Sequence, residues 1–220
     1  MALECTHIRF AVDVMAKFKV SDLDKYISGT VYPDSRYVTK TDRNLTHNEE
    51  FLGSNFIKDN DFRKGWVIHL LCDKVMNIIV KKTFPDLVGE KKGKIHQGND
   101  LWIKMTALKI LLDLNDFEKF DLQKYIDCLN YLETPNGEDR KVMKEYNQVF
   151  IDLYKGKEKI LIADAASMWQ KLGIGEDSAL KAKNKAEEFS RDKNLMKKIT
   201  GVYDEMVKYF LANFNSLEIK

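Results

Sequence analysis

The sequence predicts an all-α protein, a single-domain helical bundle, on three observations. Apolar residues recur every three to four positions through most of the chain, as they do along one face of a helix. Gly and Pro, which punctuate loops and turns, number only 11 and 3 in 220 residues. No segment alternates apolar and polar residues for long enough to make a strand. The length suits one domain spanning 1–220, with a hydrophobic core of its own.

Taken in order, the elements are these. Thr6 caps a first helix running to about Phe18, whose buried stripe of Phe10, Ala11, Val14 and Phe18 includes His7. Ser21-Asp22-Leu23 opens a short helical turn. Gly29 and Pro33 then break the helix, and because Pro holds the residue before it in extended geometry, Asp34 is expected at a rigid bend. After a polar loop at 39–45, Thr46 and Glu49 have the spacing of a capping box, which puts His47 at the first position of a helix. Asp59-Asn60-Asp61 supplies the N-cap of the next helix, which ends near Lys81-Lys82, two cations favourable at a helix C-terminus. Between Trp66 and Cys72 only His69 is polar, so this helix is apolar on every side and belongs inside the protein. His69 and Asp73, four residues apart, lie one turn above each other on a stripe shared with Trp66, Met76 and Val80.

Residues 86–98 read as a long loop rich in Gly and Lys that contains His96, and the next helix begins at Asn99 or Asp100, with Asp100 as its cap. Further periodic helices are expected over 121–133, stopped by Thr134-Pro135-Asn136-Gly137, and over 138–154. Those over 159–172, stopped by Gly173, 178–190 and 192–214 complete the chain.

Composition removes several classes of function. Lys and Arg number 36 against 34 Asp and Glu, a net charge of +2 that gives no signal for nucleic acid or an anionic membrane. Cys5, Cys72 and Cys128 are odd in number and far apart, which fits neither a disulfide framework nor a thiolate zinc site and suits a reducing cytoplasm. The N-terminus lacks a secretory signal and no apolar stretch reaches membrane-spanning length, so a cytoplasmic protein is expected. HExxH, a Gly-rich phosphate loop, a GxSxG elbow and the adjacent His-Asp pair of histidine-aspartate phosphohydrolases are all missing from the sequence.

What remains is a set of ligand-type residues in the first third of the chain: His7, Asp34, His47, His69 and Asp73. Three imidazoles and two carboxylates suffice for one or two zinc-type ions with a position left open for water. Each residue also has a plainer role. His69 and Asp73 can share a hydrogen bond that only holds the core, His7 can be a core or capping residue, and Asp34 can cap its own turn. Arg36 and Arg43 in the adjacent loop can bind phosphate oxygens or simply be solvated, and Cys72, one residue round the helix from the His69 face, is packing.

The order Thr6-His7, Gly29-xxx-Pro33-Asp34, Thr46-His47 and Gly65-Trp66-xx-His69-xxx-Asp73 resembles the zinc-dependent phospholipase C superfamily, especially its small intracellular bacterial members. The resemblance covers roughly residues 5 to 80. It implies an all-helical fold of the phospholipase C and nuclease type, and metal-dependent hydrolysis of a small phosphoester or lipid headgroup. Residue by residue it implies His7, Asp34, His47, His69 and Asp73 as metal ligands, with Asp34 similar to the carboxylate that positions or deprotonates the attacking water. Secreted members complete a three-metal cluster with an N-terminal Trp and a further pair of His, the second in a His-xxx-Glu pattern. Here the start is Met1-Ala2 and the remaining His is His96, with Asp100 four residues on, so one or two ions are expected rather than three. The competing reading is a non-catalytic helical protein with a residual structural metal site.

Overall fold

The computed structural model describes residues 3–52, 60–88 and 96–214. Among them the chain forms eleven α-helices and five short 3-10 segments, and no strand. The first five helices carry the ligand-type residues: α1 (Glu4–Val14), α2 (Leu23–Val31), α3 (Arg36–Thr39), α4 (Arg43–Thr46) and α5 (Asp61–Thr83). The rest are α6 (Pro85–Val88), α7 (Asp100–Lys119), α8 (Arg140–Tyr154), α9 (Ile162–Lys171), α10 (Glu176–Ser190) and α11 (Lys193–Asn213). None of them is long and apolar enough to cross a membrane.

As its composition requires, α5 is the buried axis. Every residue from Gly65 to Cys72 is buried, and the helix packs against α1, α2 and α11 inside one apolar cluster that extends from Leu3 to Phe210. The α2–α5 crossing is the closest approach, and two glycines make it possible. A Cβ at Gly65 would fall 1.9 Å from the Tyr26 carbonyl oxygen, and one at Gly29 would fall 2.0 Å from that of Phe62. The crossing is anchored at one end by Asp61, which accepts hydrogen bonds from the Ser21 backbone (3.0 Å), the Ser21 hydroxyl (2.7 Å) and the Asp22 backbone (2.7 Å).

Helix ends in the second half follow the sequence closely. Asp139 caps α8 and Asp192 caps α11 through side-chain acceptors, and Gly173, at φ +83°, terminates α9. Elsewhere tertiary contacts override local signals. Thr6 is not a cap: α1 begins at Glu4 and its α-helical part stops at Val14, with a 3-10 turn over Met15–Lys17. Gly29 does not break α2 but serves the helix crossing, and Tyr32 ahead of Pro33 is helical, with φ −52° and ψ −44°. Pro33 lacks an N–H and fits the first turn of the 3-10 segment Tyr32–Ser35, so the chain continues helically from α2 into α3.

Thr46 does not start a helix either. Asp42 takes the cap by accepting from the Asn44 backbone at 2.7 Å, so Thr46 ends α4 and His47 follows it as the C-cap. Asn99 rather than Asp100 caps α7, accepting from the Trp102 backbone at 2.8 Å. Of the expected loop at 86–98, residues 86–88 belong to α6 and 89–95 lie outside the described residues. The expected helix at 121–133 is two 3-10 segments, Leu122–Lys124 and Ile126–Asn130, and side chains take up carbonyls at its end. Asn147 donates to Leu129 O and Ser28 to Tyr131 O, each at 2.7 Å.

Candidate metal centre

The five ligand-type residues converge from four separate elements. His7 comes from α1, Asp34 from the Tyr32–Ser35 turn, His47 from the end of α4, and His69 and Asp73 from successive turns of α5. His47 Nε2 stands 3.4 Å from Asp34 Oδ1, His7 Nε2 3.7 Å from Asp73 Oδ1, and His69 Nε2 3.9 Å from Asp73 Oδ2 and 4.0 Å from Asp34 Oδ1. Three of these separations are too long for hydrogen bonds, and the His47–Asp34 contact lies at the outer limit of one. They match donors arranged around an ion at about 2.1 Å, whose tetrahedral spacing is about 3.4 Å. Two trios could chelate a divalent metal, His7 with Asp34 and His69, and His47 with His69 and Asp73, the donor atoms in each lying within 4.8 Å of one another.

Each donor is aimed by a neighbour. His69 Nδ1 lies 2.8 Å from the Thr30 carbonyl oxygen, which can only accept, so this nitrogen carries the proton and Nε2 presents its lone pair to the cluster. The His7 ring stacks on the His69 ring with centroids 4.0 Å apart. His47 Nδ1 pairs with the Thr46 hydroxyl at 2.9 Å, and the Trp66 indole of α5 donates to the Thr46 carbonyl at 2.7 Å, tying α4 to the central helix. Behind His7, α7 supplies the cap that Leu3 cannot. Asp113 Oδ1 accepts from the Thr6 backbone N–H at 2.9 Å and Asp116 Oδ2 from its hydroxyl at 2.7 Å.

Both nitrogens of His7, Asp34 Oδ1, His47 Nε2 and His69 Nε2 are buried without a hydrogen-bond partner. Leaving one such group buried and unsatisfied costs about 1–3 kcal/mol, and a charged one more, so the four of these atoms that face the cluster, His7 Nε2, Asp34 Oδ1, His47 Nε2 and His69 Nε2, call for a ligand. Burial holds the His7 imidazole well below its ordinary range, helped by its neighbour His69, and burial lowers His69 as well against the pull of Asp34 and Asp73. For Asp34 burial pushes upward, but the neighbouring His47 and His69 outweigh it and the carboxyl settles below the usual range. Neutral imidazoles and ionised carboxylates are the states in which these groups bind a cation.

The cluster opens on one side. Asp73, with 14% of its side chain exposed, and His47 form the inner end of a groove of about 360 Å3. Arg43, Lys74 and Asn77 provide its polar lining, and Leu52, Leu70 and Ile78 the apolar part. Arg36 does not reach this groove lining: its guanidinium lies over the Tyr37 ring at 4.2 Å and donates to the Tyr37 hydroxyl at 2.8 Å. Cys72 is fully buried and its thiol is pushed well up by burial, which makes it inert. His96 is exposed and belongs to neither trio.

Several residues around the site gave no sequence signal. Glu4 is buried beside Asp34 in a small cavity also lined by Tyr37 and Trp169, and burial together with the Asp34 charge pushes its carboxyl well up. Thr30 contributes through its carbonyl, which side-chain identity cannot reveal, and Asp113 and Asp116 are distant in sequence and sit inside a helix. Compared with protein-family models, curated proteins and solved structures, the chain matches none, so its function must be read from this geometry.

Proposed function

We propose that this protein is a metal-dependent hydrolase of phosphoesters, of the zinc-dependent phospholipase C kind, with His7, Asp34, His47, His69 and Asp73 as ligands. The observation that carries this reading is the convergence of four buried donor atoms without hydrogen-bond partners, on His7, Asp34, His47 and His69, beside a groove that His47 and Asp73 line. Three nitrogen donors favour zinc over magnesium or calcium, which take oxygen. A bound zinc ion would supply a water of lowered pKa and an electrophile for a phosphoryl oxygen. Asp34, ionised and fixed on its turn, would orient that water. Because His69 offers only Nε2 and belongs to both trios, they cannot be two complete and independent sites. A single ion, or a pair bridged by Asp34 or Asp73, accounts for the set.

The groove separates this reading from that of a closed structural metal, since hydrolytic sites keep a position open to substrate. A small phosphoester or a lipid headgroup is the substrate class, and the cytoplasm the compartment, in keeping with three buried, unpaired thiols. The test is elemental analysis of the purified protein together with a phosphomonoester and phosphodiester screen. Bound zinc with hydrolysis that is lost on chelation is expected. Zinc without hydrolysis would leave a structural site, and no metal even after zinc is offered would remove the proposal.

A further inference from the structure

The groove is lined by two cations whose charge the fold does not use. Arg43 projects from α4 and Lys74 from α5, next to the ligand Asp73, and both face the space whose inner end is formed by His47 and Asp73. Neither side chain makes a hydrogen bond or an ion pair with a described residue. Elsewhere on the surface lysines are commonly neutralised: Lys25, Lys64, Lys155 and Lys181 each pair with a carboxylate at 2.6–3.3 Å. Asn77, one turn beyond Asp73, adds an amide to the same wall.

The local charge balance gives these cations a purpose. The two carboxylates of the ligand set offset a divalent ion, so the donors and their metal leave little net charge, whereas Arg43 and Lys74 add two positive charges at the mouth. A guanidinium binds two oxygens of a phosphoryl group through its planar fork, and an ammonium binds a third as a point charge. We propose that Arg43 and Lys74 form a phosphoryl-binding subsite that holds the substrate phosphate against the metal donors, with Leu52, Leu70 and Ile78 receiving the organic part of the ester. Ile78, 36% exposed, leaves the outer end of that wall open. This deepens the phosphoesterase reading and rests on it for the identity of the substrate, but the anion subsite itself can be measured without turnover.

The experiment is titration calorimetry with inorganic phosphate at low ionic strength, on zinc-loaded and on metal-free full-length protein. Wild type is compared with Arg43→Gln, Lys74→Met, the double variant and Lys74→Arg, with zinc stoichiometry and thermal melting recorded for each. Loss of one charged contact should weaken phosphate about tenfold and loss of both about a hundredfold, while Lys74→Arg stays within about threefold of wild type. Zinc stoichiometry and melting should be the same in all. Phosphate affinity unchanged in the double variant, or no phosphate binding by wild type in either form, would overturn the subsite. A protein that takes up no zinc but binds phosphate through Arg43 and Lys74 would retain the subsite and sink the hydrolase reading instead.

Discussion

Two buried polar clusters meet on α1 at neighbouring residues, and their contrast separates architecture from chemistry. Around Thr6, all four carboxylate oxygens of Asp113 and Asp116 are occupied, by the Thr6 N–H, the Thr6 hydroxyl, the Tyr154 hydroxyl at 2.7 Å and Arg9 at 2.8 Å. Around His7, the donor atoms Asp34 Oδ1, His47 Nε2 and His69 Nε2, with His7 Nε2 itself, converge without a hydrogen-bond partner. Both clusters are buried and both hold ionisable groups with displaced pKa values, so neither property marks a functional site. Completed hydrogen bonding makes the first a clamp that fixes the start of α1, and the lack of it makes the second a candidate for binding.

The largest expected effect is on catalysis. Asp34→Asn should lower phosphoester hydrolysis by about 10²–10⁴-fold, proportionally far more than it lowers stability, measured by steady-state rates and urea unfolding. A parallel loss of stability would move Asp34 to the clamp side of the contrast. Next comes metal binding. His69→Ala should weaken zinc by about 100-fold or more, since its Nε2 belongs to both trios. Zinc at about 100 times its Kd should then stabilise wild type by about 2.7 kcal/mol and the variant by no more than about 0.4 kcal/mol, read from melting with and without chelator.

The clamp should respond in the opposite way. Asp113→Ala strands the Thr6 N–H and the Tyr154 hydroxyl and should cost about 2 kcal/mol of stability. Burial pushes Asp113 up to about 7, aided by the Asp116 charge, and burial likewise raises Asp116 to about 6. Between pH of about 4, where free carboxyls ionise, and about 7, the folded protein therefore keeps protons that the unfolded chain has lost. Stability should fall as pH rises through that window and level off above it, and Asp113→Asn should flatten the slope of the urea midpoint against pH. The smallest effect is expected at the seam between site and scaffold. Trp66→Phe removes the bond to the Thr46 carbonyl that steadies His47, costing about 1 kcal/mol and less than tenfold in zinc affinity.

What the sequence made legible follows the same division. In the second half α8 and α11 are capped by Asp and α9 is ended by Gly173, and these local signals survive because little else competes for their backbone groups. The buried nature of α5, with His69 and Asp73 on one face, was legible because apolar residues surround them on every side. In the first half, tertiary partners win. Thr6 looks like a cap and is instead held by two acids more than 100 residues away, and Thr46 looks like a capping box but yields to Asp42. The residue types of the site were readable, whereas its aiming groups were not, since a carbonyl such as that of Thr30 leaves no trace in side-chain identity.

The α2–α5 crossing also sets a rule for recognising other chains built this way. An intruding side chain can often be accommodated by trimming the neighbour it strikes, but at Gly29 and Gly65 the obstacles are peptide oxygens, and no substitution on the opposite helix removes them. The two positions therefore cannot compensate for one another, even though neither touches the donor set. A pattern for distant relatives should require glycine five residues before the turn Asp, and glycine four residues before a His that is itself followed four residues later by Asp. The apolar positions between these fixed points can change identity freely, because volume shared among many side chains can be redistributed and a backbone contact cannot.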